Sequence, residues 1–350
     1  MSTPVHILGI DLSTTRLDCA TLPDERSFQV PYSPAGFQTI IEHLADRRAQ
    51  GWQVLAVVEA TGGYERALVA ALLEAGLPIA VVNPKRVRSY AKGLGILAKT
   101  DRLDARVIAR YGREIRPRPA APVSPERRDL AELLAYRDQL VGEIVARTQQ
   151  KRLYTTAAMI GRADTAIARL RQEKRELDRE IARMLDEGEA LSDTAAPLLS
   201  VCGVGPVVAA VLLAFLPELG RLTEKEIASL AGLAPMARDS GNRRGRRHIA
   251  DGRAKVRHAL YMAVVAALKN NAHPRAVYDR LIRAGKPVKV AMVAVMRKLL
   301  VMLNAMLRDG ETWEPDAQKR RERRAADDGS SALPEESSAS PEPAPKTAAA

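Results

Sequence analysis

Apolar residues follow two patterns along the chain. Over roughly the first third they form short unbroken runs, VHILGIDLS, VLAVVEA and PIAVVNP, each bounded by turn or helix-starting residues. Runs of this length predict strands buried on both faces. The first run is followed across a turn by RLDCATL, which predicts a hairpin. Elsewhere in this third the spacing turns helical: Phe37, Ile40, Ile41 and Leu44 give an apolar face to 34–50, and a second helix is predicted from Glu65 to Ala75. Strand, helix and strand in alternation predict a parallel or mixed sheet with its functional groups at the carboxyl ends of the strands. Asp11 and Glu59 close two of these runs and fall at the same edge.

The segment after Pro84 is basic and interrupted by glycine, then turns helical around Asp101. Asp101 and Asp104 are three apart, which puts both carboxylates on one helix face. A pair of acids is a poor magnesium site, because Mg²⁺ takes near-octahedral oxygen ligation. Asp11 and Glu59 are the further acids that could complete it, giving a candidate cluster of four carboxylates. Beside it Lys85, Arg86, Arg88, Lys92 and Lys99 are read as loop residues that hold phosphates. From these residues alone a second reading stands equally: the strand-end acids cap neighbouring helices and the aspartate pair is a solvated face.

A proline-rich stretch, Pro117 to Pro125, marks a boundary, and Glu126 to Ala190 is charged and free of proline. Ile160, Ala163, Ile167, Leu170, Lys174, Leu177, Ile181 and Met184 form a short heptad seam, preceded by a less regular helix with Leu130, Leu134, Val141 and Ile144. Two readings remain: an antiparallel helical hairpin that self-associates, or a long amphipathic helix packed on its own domain. Farther on, Gly203-Val204-Gly205-Pro206 interrupts an apolar stretch. It predicts either a helix-hairpin-helix whose amides contact phosphate or a buried hairpin without ligand. From Lys255 to Leu307 two or three helices are expected, with Met292, Val295, Met296, Leu299, Leu300 and Leu303 in their core.

Ser240-Gly241 lies among Arg238, Arg243, Arg244, Arg246, Arg247 and Arg253, between Pro235 and Gly252. A serine hydroxyl needs activation and nearby cations before it attacks phosphate. Spacing alone favours a flexible turn that contacts phosphate. Ser200 and Ser229 fall in predicted helices, and His248 and His258 are placed as phosphate contacts near the serine.

Charge sharpens this picture. The formal net charge is +12, from 54 Lys+Arg against 42 Asp+Glu, so a polyanion is the expected partner and nucleic acid the leading one. No unbroken apolar run reaches the roughly eighteen residues of a membrane span, and Met1-Ser2-Thr3-Pro4 lacks the features of a secretory signal. A cytoplasmic protein is expected, associated with the nucleoid when active. Cys19 and Cys202 are read as buried thiols. Beyond Gly310 the composition and the KRRERR cluster predict a disordered, nucleic-acid-attracting tail.

GIDLS, VEATGGY, NPKRVRSYAKGLGILAKTDRLDA, PLLSVCGVGP and APMARDSGNRRGRR, in this order from Val5 to Leu307, resemble the DEDD transposases of bacterial insertion sequences, the one-ten family and its relatives. The resemblance implies an α/β ribonuclease-H-like domain at 1–118, a helical coiled-coil linker at 124–190, a mainly α-helical C-terminal transposase domain at 191–310 and a tail at 311–350. It further implies that Asp11, Glu59, Asp101 and Asp104 hold Mg²⁺, as two ions clamping the scissile phosphate. It makes Ser240 the covalent nucleophile, with the acidic and serine domains forming one composite site. Donor and target DNA, a structured guide RNA from the element and a homo-oligomer, dimer or tetramer, are the implied partners. The competing readings are a metal-dependent nuclease like a Holliday-junction resolvase, using water, and a non-enzymatic nucleic-acid-binding protein. The last conflicts with four acids beside DNA, since carboxylates repel phosphates unless a cation intervenes.

Overall fold

A computed structural model describes residues 4–96, 101–236, 245 and 247–313, with only the backbone at 101, 102, 189 and 190. Lys99, Arg238, Ser240, Arg243, Arg244, Arg246 and the tail from 314 onward lie outside the described residues. The chain divides into two compact units, 1–123 and 124–350.

The first unit is built on a mixed sheet. Strands β1 (Val5–Leu12), β2 (Arg16–Leu22) and β3 (Ser27–Pro31) form an antiparallel meander, while β4 (Gln53–Glu59) and β5 (Ile79–Val82) run parallel to β1, in the order β3-β2-β1-β4-β5. Both faces are covered, which is why the strands read as continuous apolar runs. On one face Leu8, Ile10 and Val58 pack with Phe37, Ile40 and Leu44 of α1 (Pro34–Ala49) and Leu68 and Leu72 of α2 (Glu65–Glu74). On the other, Ile7, Ala20 and Val57 pack with Val87 and Ala91 of α3 (Pro84–Gly93) and Ala105, Ile108 and Ala109 of α4 (Asp101–Ile115).

Three features differ from the sequence reading. The edge strand β3 was not predicted, because SFQVP has only Val30 buried and ends in proline. The basic stretch after Pro84 is helix α3 instead of a loop. Asn83 caps it by accepting from the Lys85 amide at 2.9 Å, Pro84 opens it, and Val87 and Ala91 bury its inner side. Cys19 is buried as expected, but Cys202 is exposed, since it falls in the turn between two helices.

The second unit is helical: α5 (Pro125–Lys151), α6 (Ala157–Glu187), α7 (Glu189–Leu199), α8 (Pro206–Phe215), α9 (Glu224–Leu230), α10 (Ala254–Asn270), α11 (Ala272–Arg283) and α12 (Val288–Asp309). α5 and α6 run antiparallel, shown by the ion pairs Arg137–Asp178 at 2.6 Å and Lys151–Asp164 at 2.5 Å. Ile167, Leu177 and Ile181 of the seam are buried within this chain. The far ends of the hairpin, through Leu130, Leu134, Ile181 and Leu185, join the core of α7, α8, α10 and α12. By length and composition α12 could cross a membrane, but half of that stretch is buried in this core. Its Asn304, almost fully buried, accepts from the Gly220 amide at 2.9 Å and donates to the Leu222 carbonyl at 2.8 Å.

Candidate active site

Register places the acids of the first unit. β1 and β4 pair in parallel with Gly9 opposite Val57 and Ile10 opposite Val58, so the next step sets Asp11 beside Glu59. Side chains alternate along a strand. Ile7 and Val57 face α4, and so therefore do Asp11 and Glu59. α4 runs against β1: a Cβ on Gly112 would meet Ile7 and Val57, and one on Gly9 would meet the Ala109 nitrogen at 2.3 Å and the Ala105 oxygen at 2.4 Å. Only glycine permits so close a helix at Gly9. Two residues farther along β1, Asp11 lies under the first turn of α4, which holds Asp101 and Asp104. On the helical wheel Asp104 falls on the same side as Ala105 and Ile108, the side packed on the sheet.

Asp11, Glu59 and Asp104 thus share an edge and a face, all half-buried. Among the described residues no three His, Cys, Asp or Glu groups gather closely enough to hold a metal. The side chain of Asp101 lies outside that set. The donors are all carboxylate oxygens, the ligands a hard divalent cation takes, so their chemistry fits Mg²⁺.

Two further residues shape this edge and were not found from the sequence. Asp18 is paired with Asp11 across the β1–β2 ladder and is almost fully buried. Its carboxylate binds Arg16 Nε at 3.1 Å and accepts from Gln29 Nε2 at 2.5 Å. Glu65 fixes the loop after Glu59, accepting from the Thr61 and Gly63 amides at 2.9 Å each. Burial pushes the Glu65 carboxyl up, but these amide bonds and the Thr61 hydroxyl outweigh it and hold the group below the ordinary carboxylate range. A Glu at the first position of a helix is a sequence signal for binding nearby amides, whereas Asp18 is legible only once the register is known.

The basic residues separate by environment. Lys85, Arg86 and Lys92 are exposed on α3, and Arg88 is half-buried. Arg247 is exposed. Arg253 grips both carboxylate oxygens of Glu218, at 2.5 and 2.7 Å, and donates to the Phe215 carbonyl at 3.1 Å, so its charge is engaged inside the second unit. Met236 and His248 form an isolated antiparallel bridge, so the two ends of the segment that carries Ser240 are held together. Arg257 supports the same base through the Asp251 carbonyl at 2.7 Å. Gly203 has a positive φ of 98°, and a Cβ there would meet the Ala263 carbonyl of α10 at 2.6 Å, which ties this turn glycine to helix packing.

Residues 8–156 match the DEDD transposase family of IS110, and residues 195–279 match the transposase family IS116/IS110/IS902. The chain belongs to this family of insertion-sequence transposases. A curated relative of the family member described here is the pilin gene-inverting protein of Moraxella lacunata, 29% identical over 263 residues that cover 74% of this chain and 81% of that protein. An uncharacterized 42 kDa protein of insertion element IS900 from Mycobacterium paratuberculosis is 32% identical over 163 residues, 44% of this chain and 40% of that protein. Among solved structures, T. thermophilus RuvC in complex with a Holliday junction substrate aligns with 33% of this transposase-family chain and 99% of its own, at 18% identity and a TM-score of 0.25.

Proposed function

We propose that this chain breaks and rejoins DNA strands as the recombinase of an insertion element, using the acid edge of a ribonuclease-H-like unit and the hydroxyl of Ser240. The observation that carries the reading is the placement of Asp11 beside Glu59 on adjacent parallel strands, under the helix turn that holds Asp101 and Asp104. Acids clustered in a protein of net charge +12 need a cation if phosphate is to approach. Asp11, Glu59, Asp101 and Asp104 would hold Mg²⁺, as two ions, which supplies charge neutralisation at the scissile phosphate.

The Ser240 oxygen forms a bond to phosphorus, its proton passes to water, and the deoxyribose oxygen leaves with the bonding electrons and is protonated. Arg238, Arg243, Arg244, Arg246 and Arg247 offset the charge that develops on the phosphate oxygens. Lys85, Arg86, Arg88, Lys92 and Lys99 bind backbone phosphates near the acids, and Arg253 positions the base of the serine segment through Glu218. A structured RNA from the element selects donor and target DNA by base pairing, while the protein reads shape and backbone. Strand exchange takes a homo-oligomer, dimer or tetramer, formed through the α5–α6 hairpin.

The test uses a DNA substrate with a nick that blocks completion, followed by denaturation and digestion. A phosphodiester between DNA and the peptide containing Ser240 is expected, absent from Ser240→Ala. Cleavage by the wild type without any adduct would overturn the serine step and leave a water-using nuclease.

A further inference from the structure

Helix α4 has a second face that the acid edge does not use. Ala105, Ile108, Ala109 and Gly112 lie against the sheet, while Arg106, Arg110 and Arg113 are exposed on the opposite side. Spaced four and three apart, the arginines form one stripe. At about 1.5 Å per residue the stripe starts about 3 Å past Asp104 along the helix axis, on the other side of the helix, and ends roughly 13 Å beyond it. Its charge is offset toward the far end, where Glu25 and Glu114 line the same cleft as Arg110 and Arg113. Arg113 meets Glu114 at 3.2 Å, but both are about half exposed, where an ion pair is weak. Arg106 donates to the neutral Ser27 hydroxyl at 3.3 Å, and Arg110 has no acidic partner among the described residues.

An open cleft of about 430 Å³ adjoins the stripe, lined by Glu25, Tyr90, Leu94, Arg110, Arg113 and Glu114. The Tyr90 ring is braced edge-on by Tyr111, with centroids 5.5 Å apart, and Leu94 is 49% exposed. An aromatic surface fixed beside arginines is the arrangement that takes single-stranded nucleic acid, with phosphates on the cations and a base on the ring. A paired base inside a duplex cannot reach such a ring.

We propose that the outer face of α4, with Tyr90 and Leu94 of the α3 end, is the track for a single DNA strand leaving the acid edge. Phosphates rest on Arg106 and Arg110, and one unpaired base enters the cleft. DNA is the occupant because the stripe begins on the same helix as Asp101 and Asp104, about half a turn past Asp104. The inference rests on the reading of this unit as a DNA-cleaving one.

The test is made on the full chain in EDTA, where binding is separated from chemistry. A fluorescent single-stranded DNA is titrated at several salt concentrations against wild type, the Arg106→Gln/Arg110→Gln double variant and Arg48→Gln on the far side of the sheet. The slope of log affinity against log salt should fall by about 0.7 for each track arginine removed, and stay unchanged for Arg48→Gln. Bromodeoxyuridine in the same strand should photocrosslink to the peptide containing Tyr90, and the double variant should lose that crosslink. An unchanged slope with the crosslink elsewhere overturns the track, as does a slope loss confined to RNA or duplex of the same sequence. Failure of the wild type to form a Ser240 adduct while slope and crosslink behave as expected defeats only the catalytic reading. Normal adduct formation with an unmoved slope defeats only the track.

Discussion

Asp11 and Asp18 are direct partners across the β1–β2 ladder, so two carboxylates leave the same face of the sheet side by side. Like charges in that position repel. Arg16 and Gln29 bind the Asp18 carboxylate and offset the repulsion, leaving Asp11 as the member of the pair at the open edge. Asp18→Asn keeps the shape but makes the surroundings of Asp11 one charge more positive, which weakens cation binding there. A loss of about 1 kcal/mol would raise the Mg²⁺ needed for half-maximal cleavage about fivefold. A magnesium titration of cleavage checks this, and an unchanged midpoint with lowered thermal stability would give Asp18 a packing role alone.

Glu59→Gln and Asp104→Asn remove charge with little change of volume. Cleavage should fall by about a hundredfold or more, the scale of losing a group that stabilises developing charge. DNA affinity at fixed salt should hold or rise, because a negative charge near a polyanion has been removed. Gel-based cleavage and fluorescence anisotropy on the same preparations separate the two effects. Joint loss of binding and cleavage would point to acids that hold the fold, the capping role that residue spacing alone leaves open.

Where burial was continuous, the sequence was legible. The β1, β4 and β5 runs, the helix at α2 and the apolar faces of α1 and α12 could be read because each element contributes a regular side to a core. The edge common to Asp11 and Glu59 followed from strand ends alone. α3 was hidden by its charge density, although Asn83-Pro84 is a helix-start signal and Val87 and Ala91 keep helical spacing. Asp18 looked like an interruption in an apolar strand, because its partners come from β2 and β3 register. Arg253 looked like its arginine neighbours, because Glu218 lies 35 residues away and only the fold brings it within 2.5 Å.

The α5–α6 hairpin has a buried seam and, outside it, exposed apolar residues. Ile167 is only 4% exposed and faces inward, whereas Leu153 is 78% exposed near the hairpin turn, with Val145 and Met159 also exposed. A charge at Ile167 should therefore unfold the hairpin, at a cost of several kcal/mol for a buried, unpaired charge. Leu153→Asp with Met159→Glu should leave thermal stability nearly unchanged and lower the mass of the complex in light scattering. An unchanged mass for that double variant would confine the hairpin to packing within its own chain.

The last prediction concerns His6 and His43, which approach through their Nε2 atoms at 3.1 Å beneath α1, at the end of β1 away from the acids. One ring must donate and the other accept, so at least the accepting ring is neutral and the pair cannot take up two protons and keep the bond. Burial, then the charges of His43 and Arg47 against the opposing Asp24, lower His6 from 6.5 to about 4. His43 is lowered too, first by burial and then by Arg47, with Asp24 and Asp46 opposing and Arg26 adding a small push. Since the folded chain refuses a proton that the unfolded chain takes below about pH 6.5, the pair favours folding fully above that pH. Stability is lost as pH falls from about 6.5 to about 4, and no further loss comes from His6 below that. At roughly 1.4 kcal/mol per pH unit the His6 contribution is at most about 3.5 kcal/mol. His6→Phe keeps an aromatic ring beside Trp52 and removes the titration, and since the His6 Nδ1 has no hydrogen-bond partner among the described residues, the bond to His43 is what it gives up. Urea unfolding between pH 7.5 and pH 4 should show a steeper acid loss for the wild type than for His6→Phe. Parallel curves for the two proteins would mean that His6 takes up its proton equally in both states, and the acid sensitivity would then belong to the carboxylates.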